Sequence, residues 1–553
     1  MKTLKQINKY LKSPLVLIAA VVLGFVACQK DEPIVFEDVR LFRPVLSTDL
    51  YAEGNTIVAE MGNLKAANGY IMEVSRDSFA TVEYQVQVDT NIVRLNESVL
   101  GESLFWNMIY QVRATALAEN PELNSKPSLL GSVRTETFPT ILQEPTYYDI
   151  LDVKARIEWE TLGLPVTGIK AFAADDLRLK TPLLEFEVSE EENAAGLSII
   201  DGLSPDTLYQ IAIYSGDELR GWRNYQTRVA DIDKTAAGVV DLTESEDPAA
   251  VTNALDAASD GAIILIKHGV QYDLPDNTHF QNKSFTIRGA YGFGKQQAML
   301  YSTNNIDFEG GAVIDHVRFV NLEIRGSSMG GVYAINASQG GGTEINEVSF
   351  EGCKLVNMRG VMRMKADGIT VNNFKINNSL IDSIGSYGVM TQDKAGSMVK
   401  NIAITNSTVN RTQYFLVSRN NSESLLLENS TFANLSESGR ELFRWRQSGQ
   451  DNITNGVTIK NCIFGHSWDM SNSGVTTVRG MDGLEETTFD ISSTFSVADF
   501  IWYGNEIPNF PAANISSTQE ELWVDPTNND FNFKDAGFVG KTSAGDPRWR
   551  VKL

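Results

Sequence analysis

Four histidines and three cysteines among 553 residues leave little material for imidazole catalysis, metal clusters or a disulfide framework. No His-Glu-x-x-His pair occurs, no Gly-x-Gly-x-x-Gly turn between a strand and a helix, and no Gly-x-Ser-x-Gly elbow. The zincin, dinucleotide-binding and α/β-hydrolase signatures are therefore missing. Apart from Leu15–Val26 there is no long apolar run, and no stretch of the ~18 residues that a membrane-spanning helix needs. Positive charge is also scarce, with 47 Lys and Arg against 70 Asp and Glu and a net charge of -23. Such a surface repels phosphate backbones and anionic lipid heads, which argues against nucleic acid and charge-driven membrane binding. What is present is the composition of a folded chain, 42% hydrophobic and 21% charged.

The first residues read as an address. Lys2, Lys5, Lys9 and Lys12 precede the apolar run Leu15–Val26, which is too short to span a bilayer and has the layout of a signal-peptide core. Phe25-Val26-Ala27-Cys28 resembles a bacterial lipobox, with Phe25 where Leu is commoner, and Gln29-Lys30-Asp31-Glu32 resembles the export signal of Bacteroidetes surface lipoproteins. The resemblance implies lipidation of Cys28, a leader over 1–27, a tether over 28–36, and lipid anchoring at the cell surface on the outer membrane.

Residues 34–235 carry a net charge of -15, with short Val, Ile, Tyr and Phe runs between turn residues every 8 to 12 positions. That is the pattern of β-sandwiches. Leu203-Ser-Pro-Asp-Thr-Leu-Tyr209-Gln-Ile-Ala-Ile resembles the tyrosine corner of fibronectin type III modules, and Tyr110-Gln-Val-Arg-Ala-Thr is its counterpart upstream. Two fibronectin-like modules are expected, at 37–139 and 140–230, acting as spacers. Ile157 and Trp159 mark an early core strand of the second.

Beyond Thr235 the chain is rich in Asn, Ser, Gly and β-branched residues and has an internal period. Val317-Arg-Phe-Val-Asn-Leu, Val348-Ser-Phe-Glu-Gly-Cys, Phe374-Lys-Ile-Asn-Asn-Ser, Ile402-Ala-Ile-Thr-Asn-Ser, Leu425-Leu-Leu-Glu-Asn-Ser and Val457-Thr-Ile-Lys-Asn-Cys superimpose without gaps. Their last residues lie 31, 26, 28, 23 and 32 apart. Each segment alternates apolar and polar residues, as a strand with one buried face does. Stacked coils that bury this face against one another form a parallel β-helix. Asp247-Pro248 signals the start of a short apolar helix capping its open end, with Asp247 as N-cap. Asp260-Gly-Ala-Ile-Ile-Leu-Ile-Lys-His-Gly-Val-Gln-Tyr and Lys283-Ser-Phe-Thr-Ile-Arg-Gly resemble the opening coils of the pectate-lyase-like superfamily. Val524-Asp-Pro-Thr-Asn-Asn-Asp-Phe and Ala544-Gly-Asp-Pro-Arg-Trp549 resemble the closing segment of Bacteroidetes β-helix lipoproteins of unassigned function. The fold class is therefore all-β: two fibronectin-like sandwiches, then a right-handed parallel β-helix over 240–553 with a short N-terminal capping helix. Cys353 and Cys462, in one column four coils apart, are some 19 Å distant at ~4.8 Å per coil, too far for a disulfide. The Asn406-Ser-Thr and Asn429-Ser-Thr sequons fall at the coil bend, where Asn has a structural role.

The second strand of each coil carries the chemistry. Aligning six of these strands sets Asn336, Lys365, Asp393, Arg419, Arg446 and Arg479 in one column, with Arg363 and Arg444 beside it. Cations stacked on an acidic protein repel one another unless anions lie between them. Arg forks bind carboxylates bidentately, so Arg363, Lys365, Arg419, Arg444, Arg446 and Arg479 are candidate ligands for a uronic-acid polysaccharide, with Tyr333, Tyr387, Tyr414 or Trp468 as stacking platforms. Asp367, Asp393, Glu437 and Glu441 are the competing partners, which would leave a surface ion-pair ladder. A polysaccharide lyase is the alternative, since Lys365 or Arg419 near Asp393 are possible bases for β-elimination. However, neither a cluster of Ca²⁺-ligating acids nor two opposed hydrolytic carboxylates is recognisable. No catalytic residue, metal site or cofactor is assigned, and Ca²⁺ enters only if the protein is a lyase. A non-catalytic structural or adhesion lipoprotein is the third reading, and an outer-membrane glycan-uptake complex is the expected protein partner.

Overall fold

The computed structural model describes residues 39–274, 279–511 and 514–552; the leader and Cys28 lie outside them. The chain is built almost wholly of strands and divides into two compact units. The first unit spans residues up to Leu142 together with Glu160–Ser189 and Gln210–Arg223. It contains the first fibronectin-like sandwich, a three-stranded sheet (Tyr51–Glu53, Thr56–Glu60, Ile92–Leu95) and a four-stranded one (Tyr84–Val88, Gly69–Ser75, Ile109–Leu117, Ser128–Arg134), all antiparallel. Alternation along Ile109–Leu117 buries Tyr110, Val112, Ala114 and Ala116. The hydroxyl of Tyr110 accepts the backbone N–H of Phe105 at 2.9 Å, the tyrosine-corner contact.

The second module's four-stranded sheet (Leu184–Glu187, Gly168–Ala173, Leu208–Ser215, Glu218–Gln226) falls mostly in the first unit. Its strand pair Lys154–Glu158 and Leu197–Asp201 falls in the second. Ile157 and Trp159 are buried, and Tyr209 accepts the N–H of Ser204 at 2.9 Å, as the resemblance implied.

The second unit continues as a parallel β-solenoid with three faces. Ten strands from Val239–Leu242 to Phe489–Ser492 make the first face. The second face runs from Gln271–Leu274 to Phe495–Ser496, and the third from His279–Gln281 to Ile501–Trp502. Lys354–Met364 and Leu380–Gln392 pass unbroken from the second face into the third. The bend after the first face is made by one left-handed residue per coil: Asn321, Gly352, Asn378, Asn406, Asn429, Asn461 and Ser493, with φ between 46° and 62°. Asn tolerates this conformation better than other non-glycine residues, which is why it recurs there. The next position turns its side chain inward and ties the coils together. The N–H of Cys353 is accepted by the Oγ of Ser379, that of Ser379 by Ser407, that of Ser407 by Ser430, and that of Cys462 by Thr494 Oγ1, at 3.0 to 3.4 Å. Cys353 and Cys462 are buried and free.

The interior is filled by aliphatic and aromatic side chains, among them Phe319 and Phe350, whose rings stack at 5.1 Å. One end is covered by the helix Ala250–Ala257, which buries Val251, Ala254 and Leu255. Its N-cap is Ala249, not Asp247; the Asp247 carboxylate instead accepts the N–H of Ala249, two residues on, because Pro248 cannot donate. The closing segment lies on the second face. There Asp546 is buried against Thr408 and Thr431, and Trp549 donates to Thr408 at 2.8 Å.

Candidate functional site

The outward residues of the third face fall into two columns set by strand register. Asn336, Arg363, Thr391, Val417, Arg444 and Asp482 pair in succession. Two residues further along each strand, Lys365, Asp393, Arg419 and Arg446 form the second column; the N–H groups of Lys365, Asp393 and Arg446 bond to Ala337, Met364 and Ser418 in the preceding coil. Lys365, Asp393, Arg419 and Arg446 therefore share a column as the alignment proposed. Its two ends are different: Asn336 stands opposite Arg363, and Arg479 stands opposite Glu441. A gapless alignment cannot register the unequal bends that deliver these two strands.

Three of the candidate cations have carboxylate partners. Arg363 makes two contacts with Asp393 Oδ2, at 2.7 and 2.5 Å. Arg479 lies 3.1 Å from Glu441, and Arg444 sits between Glu441 at 3.7 Å and Asp482 at 3.4 Å. Of the other expected partners, Glu437 pairs with Arg440, and Asp367 accepts the N–H of Gly396 at 3.0 Å. Lys365, Arg419 and Arg446 have no carboxylate within 4 Å among the described residues. Burial, and then the neighbouring Arg444 and Arg419, lower the affinity of Arg446 for its proton, and its Nε is buried without an acceptor.

Aromatic rings are interleaved with these cations. The Arg363 guanidinium stands 4.1 Å from the Tyr387 ring and 5.5 Å from that of Tyr333, and the two rings meet edge to face at 5.4 Å. Arg440 lies 4.4 Å and Arg444 5.5 Å from the Tyr414 ring. At these distances each guanidinium is attracted to the π face of a ring. The sequence reading missed Arg359, 4.7 Å from Tyr387, and Arg440, since both precede the strands used for the alignment. Their signal was local: each stands one residue before the aligned segment of its coil. Trp468 bridges to Glu437 in a loop off these columns.

Next to Asn336 in the first column, Asp307 pairs with Phe280 and accepts from Ser338 N and Phe308 N at 2.7 Å. Burial pushes its carboxyl up despite those bonds. On the first face, Glu347, Ser349, Glu351, Lys375 and Thr405 line a groove of about 390 Å³. Among the described residues no three His, Cys, Asp or Glu side chains converge as metal ligands would. No described helix is long and apolar enough to cross a membrane.

A family described as a domain of unknown function, DUF4957, matches residues 270–412, which include Arg359, Arg363 and Lys365 and exclude Arg419, Arg444 and Arg446. No curated protein matches the chain. Among solved structures, the chicken CNTN1 FN1–FN3 domains are similar at 17% identity, with 35% of this chain and 67% of that one covered and a TM-score of 0.15. A two-domain fibronectin type III segment of chicken tenascin is similar at 16% identity, covering 34% and 99%, with a TM-score of 0.15. The fold described above rests on the strand pairing itself.

Proposed function

We propose that the protein is a lipid-anchored outer-membrane surface protein that captures an acidic polysaccharide, of uronic-acid type, along the third face of its β-solenoid. The observation that carries this reading is the pair Arg419 and Arg446. They are adjacent in one column and have no carboxylate within 4 Å among the described residues, in a chain whose net charge is -23. Unpaired cations side by side are unfavourable in the free protein and become favourable when an anionic polymer lies over them. The half-buried Tyr387 and Tyr414 line the same strip and offer ring surface to sugars, whereas Tyr333 is buried. Cys28 and the leader before it support the anchoring, and the fibronectin-like modules between act as spacers that carry the solenoid away from the membrane. An outer-membrane glycan-uptake complex is the partner such a protein would serve.

Calorimetric titration of the purified protein with polygalacturonate and alginate tests the reading. Binding that is lost in the Arg444→Ala, Arg446→Ala double variant supports it, and binding unchanged by that variant removes the strip from consideration. In the same samples with Ca²⁺ added, ultraviolet absorbance from an unsaturated product that disappears in Lys365→Ala would assign a lyase instead. A Cys28→Ser chain is expected to leave the membrane fraction.

A further inference from the structure

Within the strip the cations are not evenly distributed. Arg363 is held by Asp393 of the next coil, and Lys365 is exposed, with no carboxylate within 4 Å among the described residues. Arg419, Arg444 and Arg446 are instead gathered on two consecutive coils: Val417 pairs with Arg444, and the backbone of Arg446 bonds to Ser418. Strand spacing sets these two coils ~4.8 Å apart. Glu441 and Asp482 both lie more than 3 Å from Arg444, Glu441 is shared with Arg479, and Asp393, beside Arg419 in the second column, is already held by Arg363. The Nε of Arg446 is shielded from water and has no acceptor, a condition that disfavours the free state. Tyr414 adds a donor. Its hydroxyl oxygen accepts from Arg440 and, at 3.4 Å, from Arg444, so its own hydrogen is free to point away from both.

The number and arrangement of donors bear on the anion. A carboxylate is planar and satisfies one guanidinium fork in its own plane. Three guanidinium groups on two coils, with a phenol beside them, present more donors than one planar carboxylate can accept. A tetrahedral ester with three terminal oxygens presents acceptors in three directions and suits an arginine cluster better. From this arrangement we infer that Arg419, Arg444, Arg446 and Tyr414 form a subsite for a sulfate ester, so that the polysaccharide captured is sulfated. This rests on the third face being a glycan-binding surface and specifies the acidic group it selects.

The test compares chondroitin sulfate with polygalacturonate, which carries a similar charge per sugar residue, and with chemically desulfated chondroitin, which keeps the uronate and loses the ester. All are titrated into the whole protein at one ionic strength. The expected result is chondroitin sulfate binding about tenfold or more tightly than either, the worth of one or two charge-assisted hydrogen bonds. That preference is expected to vanish in Arg446→Gln and in Arg419→Gln, and to persist in Lys460→Gln on the first face. Thermal melts of each variant verify folding, and the two arginine variants serve as independent checks on each other. Polygalacturonate binding as tightly as chondroitin sulfate, with both weakened by Arg446→Gln, overturns the sulfate subsite and leaves the glycan-binding surface standing. Absence of binding by all three glycans overturns both. A sulfate preference that survives both arginine substitutions overturns the placement of the subsite.

Discussion

The side-chain oxygen of Ser407 accepts the backbone N–H of Ser379 at 3.0 Å, one coil away, while its own hydrogen goes to the carbonyl of Thr405 at 2.7 Å. Both groups are buried at a bend where the backbone turns from the first face to the second and leaves the ladder. The hydroxyl thus replaces a bond that the sheet cannot make at a corner. Ser407→Ala strands the N–H of Ser379 and is expected to lower stability by about 1–3 kcal/mol. Denaturant titration followed by circular dichroism reads the change, and an unchanged midpoint would mean that water or a backbone shift fills the position.

Asp393 neutralises Arg363 and stands beside Arg419 in the second column. Replacing it with Asn removes a negative charge from the strip without changing its shape. Tighter binding of a polyanionic glycan is the expected result, with a steeper dependence on salt, together with a modest loss of stability because Arg363 loses its partner. Weaker binding in Asp393→Asn would instead assign the carboxylate a direct contact with the sugar.

On the first face, burial raises the pKa of Glu347, but Lys375 and Arg318, each 2.7 Å away, outweigh it and hold the carboxyl at about 2. Because the folded value lies below the unfolded one, the stabilisation is present above the ordinary Glu range and is lost as pH falls from there toward 2. With both cations half-exposed, a contribution on the order of 2 kcal/mol is expected. Melting temperatures between neutral and acid pH should fall less steeply for Glu347→Gln than for the parent chain.

Asp546 has the opposite sign. Burial of the closing segment against the second face pushes its carboxyl up, despite hydrogen bonds from Thr408 and the N–H of Arg548 and the charge of Arg548 at 3.6 Å. Stability from this group is full below the unfolded Asp value and is lost as pH rises through the raised folded value. Asp546→Asn, which keeps the shape and an acceptor for Thr408, is therefore expected to gain stability relative to the parent as pH rises toward neutral. A difference that stays flat with pH would show that Asp546 titrates as it does in the unfolded chain.

Burial pushes the thiols of Cys353 and Cys462 up to about 12. Thiolate is the reactive form, so neither should alkylate with iodoacetamide at neutral pH while the solenoid is folded. Mass spectrometry of protein treated across a denaturant series should show both labels appearing together with the unfolding transition. Labelling of one thiol well before that transition would mean that its coil opens locally.

Much of the architecture was legible in the residues because the constraints behind it are local. A bend that requires a left-handed residue selects Asn, and the position after it must place a small polar side chain inside, so Asn378-Ser379, Asn406-Ser407 and Asn429-Ser430 repeat visibly along the chain. The tyrosine corners at Tyr110 and Tyr209 are equally local, with donors five residues upstream. The N-cap of the end helix was misread because Ala249 has no side chain that signals a cap, and Asp247 sits where a cap is usual.

The sequence by itself determined the repeat, the inward face of each strand and an excess of cations on one strand per coil, expected to be the second and found on the third face because strands such as Lys354–Met364 run through the second face into it. Which of those cations are neutralised was decided only by the tertiary structure. Coils of 23 to 32 residues differ in their bends, and each bend sets the register of the strand after it. That register puts Arg479 opposite Glu441 instead of beneath Arg446, gives Asp393 to Arg363, and leaves Arg419 and Arg446 side by side with no carboxylate within 4 Å among the described residues. The pairs Arg363–Asp393, Arg444–Asp482 and Arg479–Glu441 form over a few ångströms between residues thirty or more apart in sequence, and no periodicity along the chain specifies that distance.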